Sequence, residues 1–212
     1  MEENQYFRPF GPSIAKFKMP DNIIKILNNH ADEIIKDNDK AKNLDHGKRL
    51  AGNVKQEFKL EPEFLKSSGF LNFLALCTTK WIRATENKKI TKFNVSSSWI
   101  VRQFENEYNP LHYHGGHISG VGYLKVPKNF GETFQKNKTH NYNGSISFVH
   151  GNKMFNSNSI FNVTPKVGDF YFFPNYLMHT VYPFYKSNEE RRSVSFNAHI
   201  DEEVYNTYNN YG

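Results

Sequence analysis

Arg191-Arg192-Ser193-Val194-Ser195-Phe196-Asn197 is the stretch that decides the architecture. Successive side chains of a strand point to opposite faces. Arg191, Ser193, Ser195 and Asn197 therefore share one face, and Arg192, Val194 and Phe196 share the other. With Val194 and Phe196 packed under helices, the polar face looks inward. Similar short segments surround it: Val95 to Phe104, Leu111 to His114, Ser119 to Val126, Ser145 to Val149, Asp169 to Pro174 and His179 to Pro183. Each is aromatic or β-branched and bounded by Asn, Gly or Pro. Gly168-Asp169 makes a turn into Phe170-Tyr171-Phe172-Phe173. Regularly spaced short strands with turn signals imply a sandwich or barrel.

Ahead of Ile90 the pattern is helical. Met19-Pro20-Asp21-Asn22 leads into Ile23-Ile24-Lys25-Ile26-Leu27, with Ile34-Ile35 on a compatible face and Pro20 suited to a first turn. A polar segment from Asp37 to about Lys59 is expected to be loop. A second helix is expected from Pro62 to about Glu86, with Phe64, Leu65, Phe70, Phe73, Leu74, Cys77 and Trp81 as its apolar set. The fold class is mostly β with N-terminal helices. Residues 1–89 form a helical and loop region packing on a β core at residues 90–212, one domain overall; there is no internal repeat.

The 212 residues suit a single domain, and 19 Phe and 12 Tyr supply apolar surface for a core that favours strands. A lone cysteine, Cys77, excludes an internal disulfide and fits a reducing compartment; its apolar surroundings make it buried and inert. Met1-Glu2-Glu3-Asn4-Gln5 carries no secretory pattern, and no apolar run reaches the ~20 residues of a membrane span. A cytoplasmic protein without a membrane partner is expected. The net charge of +6 is spread over scattered lysines, with small groups at Lys88-Lys89 and Lys136-Lys138. That argues for a solvated basic surface over a nucleic-acid partner.

The chemistry gathers around His112-Tyr113-His114. On a strand both histidines face the same way, and His179, near the end of another segment, can complete a three-nitrogen face for a metal. Imidazoles suit iron, copper, nickel and zinc alike. Standing alone, the pair reads as surface histidines near a turn; the order of the later segments favours the metal reading. Arg191 on the inner face would be a buried, unpaired charge costing several kcal/mol unless a carboxylate met it. A guanidinium holding a carboxylate, helped by Ser193, resolves that cost; standing alone, Arg191 and Arg192 read equally well as loop-end cations after Glu189-Glu190.

The combination resembles the Fe(II)- and 2-oxoglutarate-dependent oxygenases, and is most similar to an oxygenase family common in bacteria and cyanophages. That family shows His-x-His, then Ser-Gly-Val-x-Tyr-Leu-x-x-Pro, Phe-Pro-x-x-Leu-x-His and Arg-x-Ser-x-Ser-Phe-Asn. Here these are His112 to His114, Ser119 to Pro127, Phe173 to His179 and Arg191 to Asn197. The likeness runs from about Trp99 to Asn197, and the N-terminal region carries none of its motifs.

The resemblance implies a double-stranded β-helix (a jelly-roll barrel) with Fe(II) held by His112, His114 and His179. It implies that Arg191, Ser193 and Tyr123 bind the distal carboxylate of 2-oxoglutarate. The cosubstrates are then 2-oxoglutarate and O2, with succinate and CO2 released as a small-molecule or peptidyl substrate, prolyl for example, is hydroxylated. One departure stands out. The superfamily's usual second ligand is a carboxylate, and this chain has His114 there, which leaves the site one negative charge short. A register of His114-Gly115-Gly116 would instead put glycine at the carboxylate position, as in halogenating members.

Two other readings stay open. A three-histidine, cupin-like dioxygenase without 2-oxoglutarate fits the ligands but leaves Arg191 unexplained. A non-catalytic β-barrel binding module has no need of a buried carboxylate anchor. A nucleic-acid demethylase is disfavoured because Asn197 stands where such enzymes carry a second arginine. His117 is a weaker candidate, for substrate contact; Trp99 and Gln103 can line the pocket or pack in the core; Asp169 is read as a turn residue. Specificity is expected to reside in loops 129–143 and 151–162.

Overall fold

A computed structural model describes residues 11–206 except 134 and 136. Met1 to Gln5, where a secretory leader would stand, and Lys136 of the small basic group lie outside the described residues. The order is β1 (Ala15–Lys18), α1 (Asp21–Lys36), α2 (Asn38–Asn43), a 3-10 turn (Gly47–Arg49), β2 (Gln56–Lys59), α3 (Pro62–Ser67) and α4 (Phe70–Glu86). There follow β3 (Phe93–Gln103), β4 (Asn109–His112), β5 (Ile118–Lys125), β6 (Ile146–Val149), β7 (Ile160–Val163), β8 (Asp169–Pro174), β9 (Met178–Val181), β10 (Arg191–Ile200) and α5 (Glu202–Tyr205).

Two antiparallel sheets form, ordered β1-β8-β5-β10-β3-β2 and β4-β9-β6-β7. The double-stranded β-helix, mostly β with bracing helices, is thus the fold observed. β10 lies between β3 and β5, and its two faces separate as alternation predicts. Val194 and Phe196 pack with Phe170, Phe172, Ile100 and Leu124 against Leu27 and Ala31 of α1 and Phe70, Phe73 and Leu74 of α4. The opposite face of the large sheet joins the small sheet through Val121, Tyr123, Tyr171, Phe173, Ile146, Phe148 and Val181. Gly120 and Gly122 of β5 are required by the helix-side layer. A Cβ on Gly122 would come 2.2 Å from the Phe170 ring, and one on Gly120 would come 2.6 Å from Phe196.

Several elements depart from the sequence expectation. The helix expected over Pro62–Glu86 is broken: Gly69 takes φ +76°, a left-handed geometry glycine tolerates, and α4 restarts behind it. Pro20 precedes α1 rather than lying in its first turn. The polar stretch after Asp37 is not simply loop. Asp37 accepts hydrogen bonds from the Asp39 and Lys40 N–H groups and caps α2, and β2 then pairs with β3 at the sheet edge. β1 and β7 also form, the latter with exposed Ile160 and Phe161. Asp169 is more than a turn residue, since Lys16 and Lys18 of β1 each reach it at 2.7 Å. Cys77 is buried, and burial pushes its thiol up to about 11, an inert state. Among the described residues no helix is long and apolar enough to cross a membrane.

Candidate metal centre and its cavity

The three histidines converge, by routes that strand alternation only partly anticipates. His112 ends β4 and lies opposite His179 across the β4–β9 pair, with ring centroids 4.3 Å apart. His114 lies beyond the strand. Its backbone N–H donates to the Asn175 carbonyl at 3.0 Å, and Asn175 Nδ2 donates back to the His114 carbonyl at 3.2 Å. This clamp carries the ring inward until Nε2 of His114 is 3.1 Å from Nε2 of His179. The Phe173-Pro174-Asn175-Tyr176-Leu177-Met178-His179 stretch thereby does two jobs. Asn175 holds the first histidine loop, and the Leu177 carbonyl accepts the Nδ1–H of His179 at 2.9 Å.

His112 Nδ1–H likewise donates to the Pro110 carbonyl at 2.7 Å. With Nδ1 protonated on both rings, each Nε2 lone pair is free for a metal. One ligand atom from each of His112, His114 and His179 lies within 4.8 Å of the others, and no carboxylate joins the group among the described residues. Burial, together with mutual repulsion, pushes His114 down to about 3 and His179 down to about 4; burial lowers His112 as well. All three are neutral at pH 7, which is the ligating form. Trp99, Phe173 and Phe148 wall the group, with centroids 5.6 Å from His114 for Trp99 and 4.9 and 5.8 Å from His179 for the phenylalanines.

Arg191 and Ser193 line the same cavity as the histidines, as do Ser195 and Asn197. Arg191 is 2% exposed. Its Nε donates to the Gly144 carbonyl at 3.0 Å, and the guanidinium carbon lies 5.0 Å from the centroid of the Tyr123 ring. Arg191 Nη2 and the Tyr123 hydroxyl are both buried without a hydrogen-bond partner. Burial pushes the Tyr123 phenol up to about 12, opposed in part by Arg191, and burial lowers Arg191 too. A buried guanidinium and phenol with open donors are completed by an anion. The donor set therefore fits a dicarboxylate beside a metal.

The neighbouring arginine differs entirely. Arg192 faces the helices, where Glu190 meets it at 2.6 Å and Asp32 of α1 at 2.7 Å. His117 does not face the cavity. Its Nδ1 accepts the Ile200 N–H, its ring stacks on Tyr205 at 4.0 Å, and Nε2 is 3.2 Å from Glu202. Gln103 is buried and spends its amide on the Glu107 and Tyr182 carbonyls, whereas Trp99 does line the cavity.

The cavity also holds a residue outside every motif. Glu57 of β2 lines it, is 1% exposed, and has no hydrogen-bond partner at either carboxylate oxygen. Burial, with Asp45 and Glu107 nearby, pushes its carboxyl up to about 7. The signal was present in Glu57-Phe58-Lys59-Leu60, a period-2 pattern with Phe58 and Leu60 buried on the opposite face.

Residues 97–197 match the profile of the family described as "Putative 2OG-Fe(II) oxygenase". Among solved structures, the viral collagen prolyl hydroxylase vCPH from Paramecium bursaria Chlorella virus-1 in complex with 2OG is 16% identical. It superposes with a TM-score of 0.57 over 87% of this chain and 94% of that one. A Pseudomonas putida prolyl-4-hydroxylase gives 0.55 at 16% identity, over 87% and 91%. A Trichoplax adhaerens prolyl hydroxylase in complex with a hypoxia inducible factor peptide gives 0.53 at 10%, over 92% and 86%. At these identities the structural likeness carries the fold. No curated protein sequence matches significantly.

Proposed function

We propose that the chain is a 2-oxoglutarate-dependent dioxygenase, using Fe(II), 2-oxoglutarate and O2, that hydroxylates a small-molecule or peptidyl substrate, prolyl residues included; the match of residues 97–197 to the 2OG-Fe(II) oxygenase family supports the reading. The carrying observation is one cavity that presents three neutral imidazoles and, on its inner strand, a buried arginine with an unused donor.

In this reading His112, His114 and His179 hold Fe(II) through their Nε2 atoms. Arg191, Ser193 and Tyr123 hold the distal carboxylate of 2-oxoglutarate. Bound iron and cosubstrate supply the oxidation: substrate C–H, O2 and 2-oxoglutarate become C–OH, succinate and CO2. The chain's own residues orient and exclude. The Pro110 and Leu177 carbonyls fix two imidazole tautomers. Gly144 aims the guanidinium. Trp99, Phe148 and Phe173 keep water from the reacting groups. We read residues 1–89 as bracing the 90–212 core within one domain, and the protein as cytoplasmic.

The test is an anaerobic titration of metal-free protein with Fe(II) and 2-oxoglutarate, following their visible charge-transfer band. The band is expected in the native protein and lost in both Arg191→Ala and His179→Ala. Iron binding without a band would favour the three-histidine dioxygenase, and no metal binding would leave a binding module.

A further inference from the structure

The oxygenase reading accounts for the cavity's iron and cosubstrate groups and leaves Glu57 unused. Three carboxylates lie near one another here, Asp45, Glu57 and Glu107, and Asp45 and Glu107 accept hydrogen bonds. Asp45 Oδ1 accepts the Gly47 N–H at 3.0 Å. Glu107 accepts the Phe104 N–H at 2.9 Å and the Lys55 N–H at 3.3 Å. Glu57 alone has no donor, although it is buried and lines the cavity.

Its surroundings are oxygen-rich. A Cβ on Gly52 would stand 3.0 Å from Glu57 Oε1 and 3.1 Å from Asn109 Oδ1. One on Gly47 would stand 3.4 Å from Asp45 Oδ1 and 3.6 Å from Glu57 Oε2. The two glycines thus add no side chain over the carboxylate, and neither of its oxygens receives a hydrogen bond. Arg49 lines the same cavity but is exposed and gives Glu57 no hydrogen bond.

A buried carboxylate is stable when it is protonated or when a cation with several N–H donors meets it. An ammonium offers three donors and a guanidinium five; a neutral amide or hydroxyl satisfies the geometry and leaves the charge.

Resting on the oxygenase reading, we infer that Glu57, with Asn109 and Asp45 beside it, is the subsite that takes a cationic group of the substrate to be oxidised, a primary ammonium or a guanidinium. The substrate class is then a basic side chain or a small amine, held by its charge at β2 while a carbon elsewhere in it lies toward the histidines.

The experiment is calorimetry at pH 8 on protein loaded with Mn(II) and 2-oxoglutarate under anaerobic conditions. Nα-acetyl-lysine methylamide, Nα-acetyl-arginine methylamide and the uncharged Nα-acetyl-norleucine methylamide serve as probes. The native protein is expected to bind at least one cationic probe about tenfold or more tightly than the norleucine probe. Glu57→Gln should erase that preference, and Glu57→Asp should restore part of it. Equal affinity for charged and uncharged probes, no binding of either cationic probe, or a preference that survives in Glu57→Gln overturns the inference. In parallel, the rise in native melting temperature on adding 2-oxoglutarate with Mn(II) separates the two readings. A rise without cation preference removes only the Glu57 subsite, and no rise removes the oxygenase site itself.

Discussion

Replacing Glu57 by Gln should change how stability depends on pH, by an amount the structure fixes. The ordinary glutamate value is 4.5, and burial raises the folded-state carboxyl to about 7. Between those values the folded protein holds a proton that the unfolded chain has released. Stability therefore falls as pH rises through that window. The slope is ~1.4 kcal/mol per pH unit, so the full penalty above pH 7 is about 3 kcal/mol. Glutamine does not titrate and escapes it. Burying an amide instead adds a constant, which displaces the whole curve without bending it. The buried histidines bend both proteins the other way. His30, His46, His112, His114, His117 and His179 all lie below their ordinary value, and so favour unfolding as pH falls below ~6.5. They are common to both proteins and cancel in the difference. The assay is urea unfolding of both proteins from pH 4 to 8.5 with chelator present. The stability of Glu57→Gln minus native should be flat near pH 4, climb through the window, and level above pH 7 about 3 kcal/mol higher. A difference that stays constant from pH 4 to 8.5 would refute the reasoning, because Glu57 would then titrate as an ordinary surface acid.

Two further outcomes are expected. His114→Asp adds the negative charge the histidine triad lacks, and should tighten Fe(II) binding about tenfold in chelator competition (~1.4 kcal/mol); unchanged or weaker binding would mean charge is not what limits the site. Gly122→Ala forces a methyl into the Phe170 ring and should cost ~1–3 kcal/mol in urea unfolding, while Ser119→Ala on the same strand, which loses one hydrogen bond to Asn197, should cost about 1 kcal/mol. Equal losses would mean the Phe170 ring moves aside freely.

How much of this was legible in the sequence follows from range. β10 could be read because alternation is local: Val194 and Phe196 needed only a helix layer to assign both faces, and Arg191 and Ser193 fell inward as a result. The histidines could be grouped by motif. Strand geometry alone does not bring them together, since His114 leaves β4 and is turned inward by Asn175, a residue 61 positions away. Glu57 was missed because its meaning comes from pairing opposite Val101 at a sheet edge. A four-residue strand in a polar stretch is dominated by its charged neighbours until a partner strand selects one face. The break at Gly69 was hidden for the opposite reason: the apolar pattern runs through it, and only the left-handed backbone interrupts the helix.

The position of β2 carries a consequence for engineering. It lies at the margin of the large sheet, with β3 on one side and only the short Leu44–His46 segment on the other, whereas the strand bearing Arg191 is central and the histidines come from the second sheet and its loop. Residues 45–60 therefore form a cassette whose exchange leaves His112, His114, His179 and Arg191, the proposed iron ligands and cosubstrate anchor, on backbone outside it. Grafting cassettes of altered charge at that margin offers a way to redirect the enzyme toward new substrates while its oxidative machinery is inherited intact.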